Sequence, residues 1–221
     1  DFKMTPAQLK AALTPRTRLI FLNSPCNPSG SVYSLEELEA LAAVINGHQR
    51  ALVIADEIYE YIQFGEPHVS FAGIDGMMDR TITVNGVSKG FAMTGWRIGY
   101  IAAPQWIATA CSKLQGQFTS GASSISQKAA QAAVEHGAPL AEAMRVEFGK
   151  RREIMIELLG AVRGFRVNRP TGAFYLFPDV SEVFGAQHAG GTISSGQDLA
   201  MYLLENAGVA TVGGDAFGSP D

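Results

Sequence analysis

Cysteine, charge and long apolar runs are all scarce in this chain, and each scarcity removes a class of protein. Two cysteines in 221 residues, Cys26 and Cys111, lie far apart and make no disulfide framework, so a reducing, cytoplasmic setting is expected. Charged residues make up 17% of the chain and the net charge is −4, with no basic stripe, so nucleic acid is not expected as a partner. No apolar run approaches the roughly 18 residues of a membrane span, and no signal peptide opens the chain. The four histidines, His48, His68, His136 and His188, lack metal-ligand spacing and read as surface residues or core filler, so no metal is expected. Hydrophobic content is 47%, enough for one large domain or two small ones. The chain opens on Asp1-Phe2-Lys3 and stops on Ser219-Pro220-Asp221, and both ends read as cuts through a longer protein.

What is present is a succession of short apolar strands that end in polar turns. Thr5 before Pro6 predicts a short helix running to Leu13. Residues 18–23 predict a strand apolar on both faces, as parallel strands are. It runs into Asn23-Ser24-Pro25-Cys26-Asn27-Pro28-Ser29-Gly30, a dense run of turn formers. Taken alone this is a plain strand-to-helix loop, yet it lies at a strand's carboxyl end, where open α/β sheets bind ligands. Ser34 and Glu37 form a capping box, and Leu35, Leu38, Leu41, Ala42 and Ile45 recur at helical spacing. Residues 51–55 predict the next buried strand, ending in Asp56-Glu57-Ile58-Tyr59. An aspartate there is most often a helix cap or surface turn residue. Residues 81–84 predict a third buried strand, which breaks into a glycine-flanked turn carrying Lys89, with Arg97 eight residues on. A lone lysine is usually solvated; one held in apolar surroundings loses its proton easily and attacks carbonyls.

Further along, residues 98–103 predict a strand, 104–116 a helix and 119–126 a small-residue loop. Helices follow over 127–135 and 138–162. The second carries Glu142, Arg145, Glu147, Lys150, Arg151, Arg152 and Glu153, read as a solvated face, and is a candidate link between two domains. Beyond it come short strands at 165–167, 173–177 and 209–212, a flexible loop at 189–196 and a helix at 198–207, a smaller α+β unit. Domains are expected over 1–140 and 141–221.

The stretch S-K-x-x-x-x-x-G-x-R-x-G, here Ser88, Lys89, Gly95, Arg97 and Gly99, resembles the lysine signature of the fold-type I pyridoxal-phosphate aminotransferases, the aspartate aminotransferase family. The loop from Asn23 to Gly30 resembles that family's N-P-x-N-P-[TS]-G, and Ala55 to Tyr59 its A-D-E-x-Y. Residues 170–177, P-x-G-A-F-Y-x-F, resemble part of its C-terminal domain. The resemblance implies an α/β fold: a mostly parallel sheet with flanking helices in a large domain, plus a smaller α+β C-terminal domain, both incomplete here. It implies pyridoxal phosphate as cofactor, with Lys89 as Schiff-base former and proton shuttle, and Ser88 and Arg97 as phosphate ligands. Asp56 would pair with the ring nitrogen, Tyr59 with the ring's phenolate oxygen, and Asn27 with a ring oxygen and the substrate carboxylate. One departure is Gly86, where many members have serine; a phosphate contact is then lost or supplied by backbone N–H groups.

The implied reaction is amino-group exchange between an L-amino acid and a 2-oxo acid such as 2-oxoglutarate. Aspartate is the first substrate expected, with aromatic amino acids or alanine behind it, in a homodimer when full length. The glycine-containing phosphate loop and the arginine that grips the substrate carboxylate are implied to lie outside this chain. An aminotransferase piece incomplete for catalysis is therefore one alternative. Another comes from the residues themselves: Gly86-Val87-Ser88-Lys89-Gly90 fits the G-x-S-x-G elbow of α/β-hydrolases, with Ser88 as nucleophile and Asp179 and His188 downstream. That reading needs a long helix from the serine, and Gly95 interrupts it.

Overall fold

Residues 2–219 are described by a computed structural model. Local caps set its first two helices. Thr5 accepts from the Gln8 N–H at 3.2 Å while the Gln8 side chain accepts from the Thr5 N–H at 2.8 Å, and Pro6 opens α1 (Pro6–Ala12). Ser34 and Glu37 make the same reciprocal cap for α2 (Leu35–Asn46). Each box satisfies two donors that a helix start leaves orphaned. The strands β1 (Leu19–Asn23), β2 (Leu52–Asp56), β3 (Thr81–Gly86) and β4 (Gly99–Ala102) form one sheet in that order. The first three are parallel and β4 runs antiparallel to β3. Asn23 lies opposite Asp56 and Asp56 opposite Val84, so the carboxyl ends of the parallel strands lie side by side.

Leu9 from α1 and Leu38, Leu41, Ala42 and Ile45 from α2 pack with Ile20, Leu22, Val53 and Ala55 from the strands. Arg80 ties the end of α2 to the start of β2: its guanidinium donates to the carbonyls of Ile45 at 3.0 Å, His48 at 2.5 Å and Ala51 at 2.7 Å. A cation there adds to the backbone bonds at these carbonyls and complements the negative end of the helix. Strand β1 is apolar on both faces, as expected, and one of the two is covered. Ile20 and Leu22 are buried, but Phe21 is 74% exposed, because the described residues cover one face only.

The second half holds α3 (Gln105–Phe118), α4 (Ser124–His136), α5 (Ala138–Gly160) and α6 (Gly196–Ala207). Helix α4 starts inside the stretch expected to be a loop. The strands expected at 165–167, 173–177 and 209–212 do not form. One bridge, Arg166 to Asp179, is all that the first region makes; the Gln63 to Gly172 bridge falls just before the second, and 209–212 joins no sheet among the described residues. A strand exists only where another segment presents its N–H and C=O groups, and an apolar run does not reveal its partner. Inside the expected loop 189–196, β6 (Gly191–Thr192) pairs antiparallel with β5 (Gln187–His188). The charge run of α5 is only partly solvated. Arg145 donates to the Gln63 carbonyl at 3.0 Å, and Arg152 to that of Pro170 at 2.8 Å while lying 4.3 Å from the Phe64 ring centroid. These two arginines pin α5 to the segments that build the site.

Candidate active site

Asp56 closes β2, and its surroundings are stitched from both sides. One carboxylate oxygen accepts the Ile58 N–H at 3.2 Å, a turn of the Asx kind. Its carbonyl accepts from Asn23 Nδ2 at 3.1 Å and from the Ser24 N–H at 3.2 Å. Asn23 in turn accepts the Asn27 N–H at 2.9 Å, so the loop leaving β1 is tied to the turn leaving β2. The next side chain, Glu57, is buried and accepts from Ser70 Oγ at 3.0 Å and from the Phe71 N–H at 2.9 Å. His68 Nε2 lies 3.0 Å from its other oxygen, which corrects the reading of that histidine as surface or filler. Glu57, Glu60 and His68 bring potential metal-ligand atoms within 4.8 Å of one another, yet Glu57 already serves three partners and Glu60 accepts from Asn85 Nδ2 at 2.7 Å. We read the group as an internal anchor for the turn. Burial raises the Glu60 carboxyl above its ordinary value, against the lowering effect of Asn85.

Missing side chains let three segments meet. Gly30 adopts φ +66°, and a Cβ there would sit 2.3 Å from Pro170 Cβ. Its carbonyl accepts the N–H groups of Thr171 and Gly172, both at 2.9 Å. A Cβ on Gly172 would lie 2.6 Å from Pro25. Just beyond, Ala173 donates to the Ile62 carbonyl and Phe64 to that of Thr171, both at 2.8 Å, which lays 171–175 beside 59–64. Tyr59 therefore meets Phe174 and Tyr175 edge-on, with ring centroids 5.4 and 5.7 Å away, and its hydroxyl oxygen lies 2.5 Å from that of Tyr175. Burial above all, with the charge of Asp56 adding to it, pushes the Tyr59 phenol well up from its usual value, so it keeps its proton.

The lysine arrives from the third strand. Gly86 pairs with Gly99 across β3 and β4, and a Cβ at Gly86 would lie 2.8 Å from the Ile98 carbonyl oxygen, so the glycine has a packing reason here. The chain then turns, with Ala92 donating to the Lys89 carbonyl at 3.2 Å. Lys89 Nζ lies 5.9 Å from the Tyr59 ring centroid and 5.9 Å from that of Phe174, within reach of ring-face attraction. Lys89 and Tyr59 are thus brought together, with Asp56 and Ser88 beside them in the chain. Arg97 is exposed, and its guanidinium donates to the Thr94 carbonyl at 3.0 Å. Asn27 is also exposed, at the edge of an open apolar groove of 890 Å³. That groove runs over Phe148 and Leu199 and borders the lysine site through Phe174 and Tyr175, while Lys89, Asp56, Ser88 and Arg97 do not line it.

The hydrolase alternative finds no support in this arrangement. Ser181 and Arg166 hydrogen-bond Asp179 and hold its carboxyl at about 2. His188 Nδ1 accepts the Gly190 N–H at 3.2 Å and its ring packs on Tyr202. Among the described residues neither pairs with Ser88, and the chain beyond Ser88 makes a turn and a short 3-10 segment, Thr94–Trp96, in place of a long helix.

A mostly parallel sheet flanked by helices, with a lysine at the end of its third strand, places the chain among α/β proteins of fold type I. It belongs to the aminotransferase class I and II family, which it matches over residues 1–221. A bifunctional aspartate aminotransferase and glutamate/aspartate-prephenate aminotransferase of Petunia hybrida is 50% identical over 223 residues, covering 99% of this chain and 47% of that protein. An aspartate aminotransferase of Pinus pinaster is 46% identical, covering 100% of this chain and 46% of that protein. The crystal structure of an aspartate aminotransferase from Rhizobium meliloti superposes with a TM-score of 0.94 at 41% identity, over 100% of this chain and 56% of that one. The chain thus spans about half the length of the curated relatives it matches. Members of this family use pyridoxal phosphate. Among the described residues no helix is long and apolar enough to cross a membrane.

Proposed function

We propose that this protein moves an amino group between an L-amino acid, aspartate first, and a 2-oxo acid such as 2-oxoglutarate, using pyridoxal phosphate held by Lys89. The observation that carries the reading is the Lys89 amine facing Tyr59 and Phe174, next to the strand end that bears Asp56. The donor set fits the cofactor: a primary amine, a carboxylate with one oxygen left once Ile58 has taken the other, a phenol that keeps its proton, and the Ser88 hydroxyl. Pyridoxal phosphate, when bound, supplies an electron sink for the bond broken at the substrate Cα.

The chain's own residues do the rest. The Asp56 carboxylate holds the proton on the ring nitrogen by its charge, and the Tyr59 hydroxyl donates to the ring's phenolate oxygen. Ser88 binds the phosphate, joined by Arg97 once its guanidinium leaves the Thr94 carbonyl. Asn27 binds a ring oxygen and the substrate carboxylate. Lys89 Nζ takes the proton from the substrate Cα and returns it at the other end of the transfer. Residues 1–140 form the cofactor domain and 141–221 a smaller one, linked through α5, in a homodimer. Two free thiols, Cys26 and Cys111, agree with a cytoplasmic setting.

Aspartate stands first because it is in the names of the relatives; the Petunia protein's name adds prephenate and glutamate as the next compounds to try. Full-length protein loaded with pyridoxal phosphate, reduced with borohydride and digested should yield one modified peptide, carrying Lys89. Modification at another residue, or none on folded protein, overturns the reading. Formation of oxaloacetate from aspartate and 2-oxoglutarate then tests the substrate.

A further inference from the structure

We infer that Tyr175 is a positioning residue for Tyr59: its hydroxyl donates to the Tyr59 oxygen, so that the single Tyr59 proton is left to face the Lys89 side. The inference rests on the role of Tyr59 proposed above. A phenol has one proton to give and lone pairs to accept with. The two hydroxyl oxygens are 2.5 Å apart, so one of them spends its proton on the other. If Tyr59 were that donor, nothing would remain for a ring oxygen at the lysine. If Tyr175 is, Tyr59 keeps its proton free and becomes a stronger donor, because hydrogen bonds in a chain polarise one another.

The packing holds this geometry in place. Tyr59 is buried and stands edge-on to both Phe174 and Tyr175. Tyr175 sits two residues beyond Ala173, whose N–H is bonded to the Ile62 carbonyl at 2.8 Å, so the segments carrying the two tyrosines are joined by backbone. Tyr175 also lines the apolar groove, and it thereby connects the second half of the chain to the lysine site.

The test is the pH midpoint of the visible absorbance change of lysine-bound cofactor in the loaded full-length protein. Tyr59→Phe should raise that midpoint, since the ring oxygen loses its donor. Tyr175→Phe keeps the ring contacts and should raise it less, by about half a unit. In a Tyr59→Phe background the second substitution should add nothing. Tyr175→3-fluorotyrosine, a better donor, should lower the midpoint. An unmoved midpoint in Tyr175→Phe with Lys89 still modified, an equal shift in both backgrounds, or a rise on fluorination overturns the inference. An unmoved midpoint in Tyr59→Phe alone would overturn the role of Tyr59 together with it.

Discussion

The two halves of this chain fold on different terms. In the first, α1 and α2 find the sheet they pack on within a few dozen residues, and Leu38, Leu41, Ile45 and Val53 are almost wholly out of solvent. In the second, the described residues leave large apolar side chains of α3 to α5 uncovered: Phe118 is 84% exposed, Ile125 73% and Leu140 70%. The same kind of residue thus has very different energetic weight in the two halves, because burial, and not hydrophobicity as such, stabilises. The lysine site lies where the halves meet. Tyr59 belongs to the first, Phe174 and Tyr175 to the second, and Lys89 faces a ring from each.

The strongest way to separate site from packing is Lys89→Ala. It should remove the reducible adduct completely, read by mass after borohydride, while urea unfolding stays within about 0.5 kcal/mol of the parent. A large loss of stability would mean that the lysine also holds the halves together. Next in size, Asp56→Asn should leave cofactor attached yet slow loss of deuterium from α-deuterated aspartate by roughly a hundredfold or more; unchanged exchange would remove Asp56 from the site. The contrast itself is tested by a pair of truncations. Leu41→Ala should cost about 2–5 kcal/mol, whereas Leu140→Ala should stay within about 0.5 kcal/mol. Equal losses in denaturant titrations would erase the distinction drawn here.

The smallest effect concerns Glu60. Its carboxyl is raised in the folded chain by burial, so the native state binds the proton more tightly than the unfolded one, and stability falls as pH climbs through that window. Glu60→Gln keeps an acceptor for Asn85 and removes the charge. It should stabilise the protein at pH 7 by no more than about 0.5 kcal/mol, given the solvent that screens this half-buried group. The gain should fade as pH drops toward about 4.3, the ordinary glutamate value, and be absent below it. A gain that grows toward low pH would show that Glu57 and His68, beside it, set the response instead.

Much of the first half was legible because its signals are local. Thr5 with Gln8 and Ser34 with Glu37 write helix starts into four consecutive residues. Polar turns following apolar runs marked the strand ends where Asn27, Asp56 and Lys89 stand, and their wording carried the family resemblance. Less of the second half could be read. Nothing in 165–167 or 209–212 says that no neighbouring strand will be there, and nothing in the charge run of α5 separates Arg145 and Arg152, which bind carbonyls across the chain, from the solvated Lys150 and Arg151.

By itself, then, the amino-acid sequence determined the first two helices with their caps, the three parallel strands and the residues at their ends. Tertiary structure alone decided that β4 turns back against β3 through two glycines, that His68 meets Glu57, and that Tyr175 meets Tyr59 from 116 residues away. The reason lies in the range of the bonds. A helix and its cap close their hydrogen bonds within four residues, whereas a strand partner, a buried side-chain contact or a shared hydroxyl depends on which distant segment the packed core brings alongside.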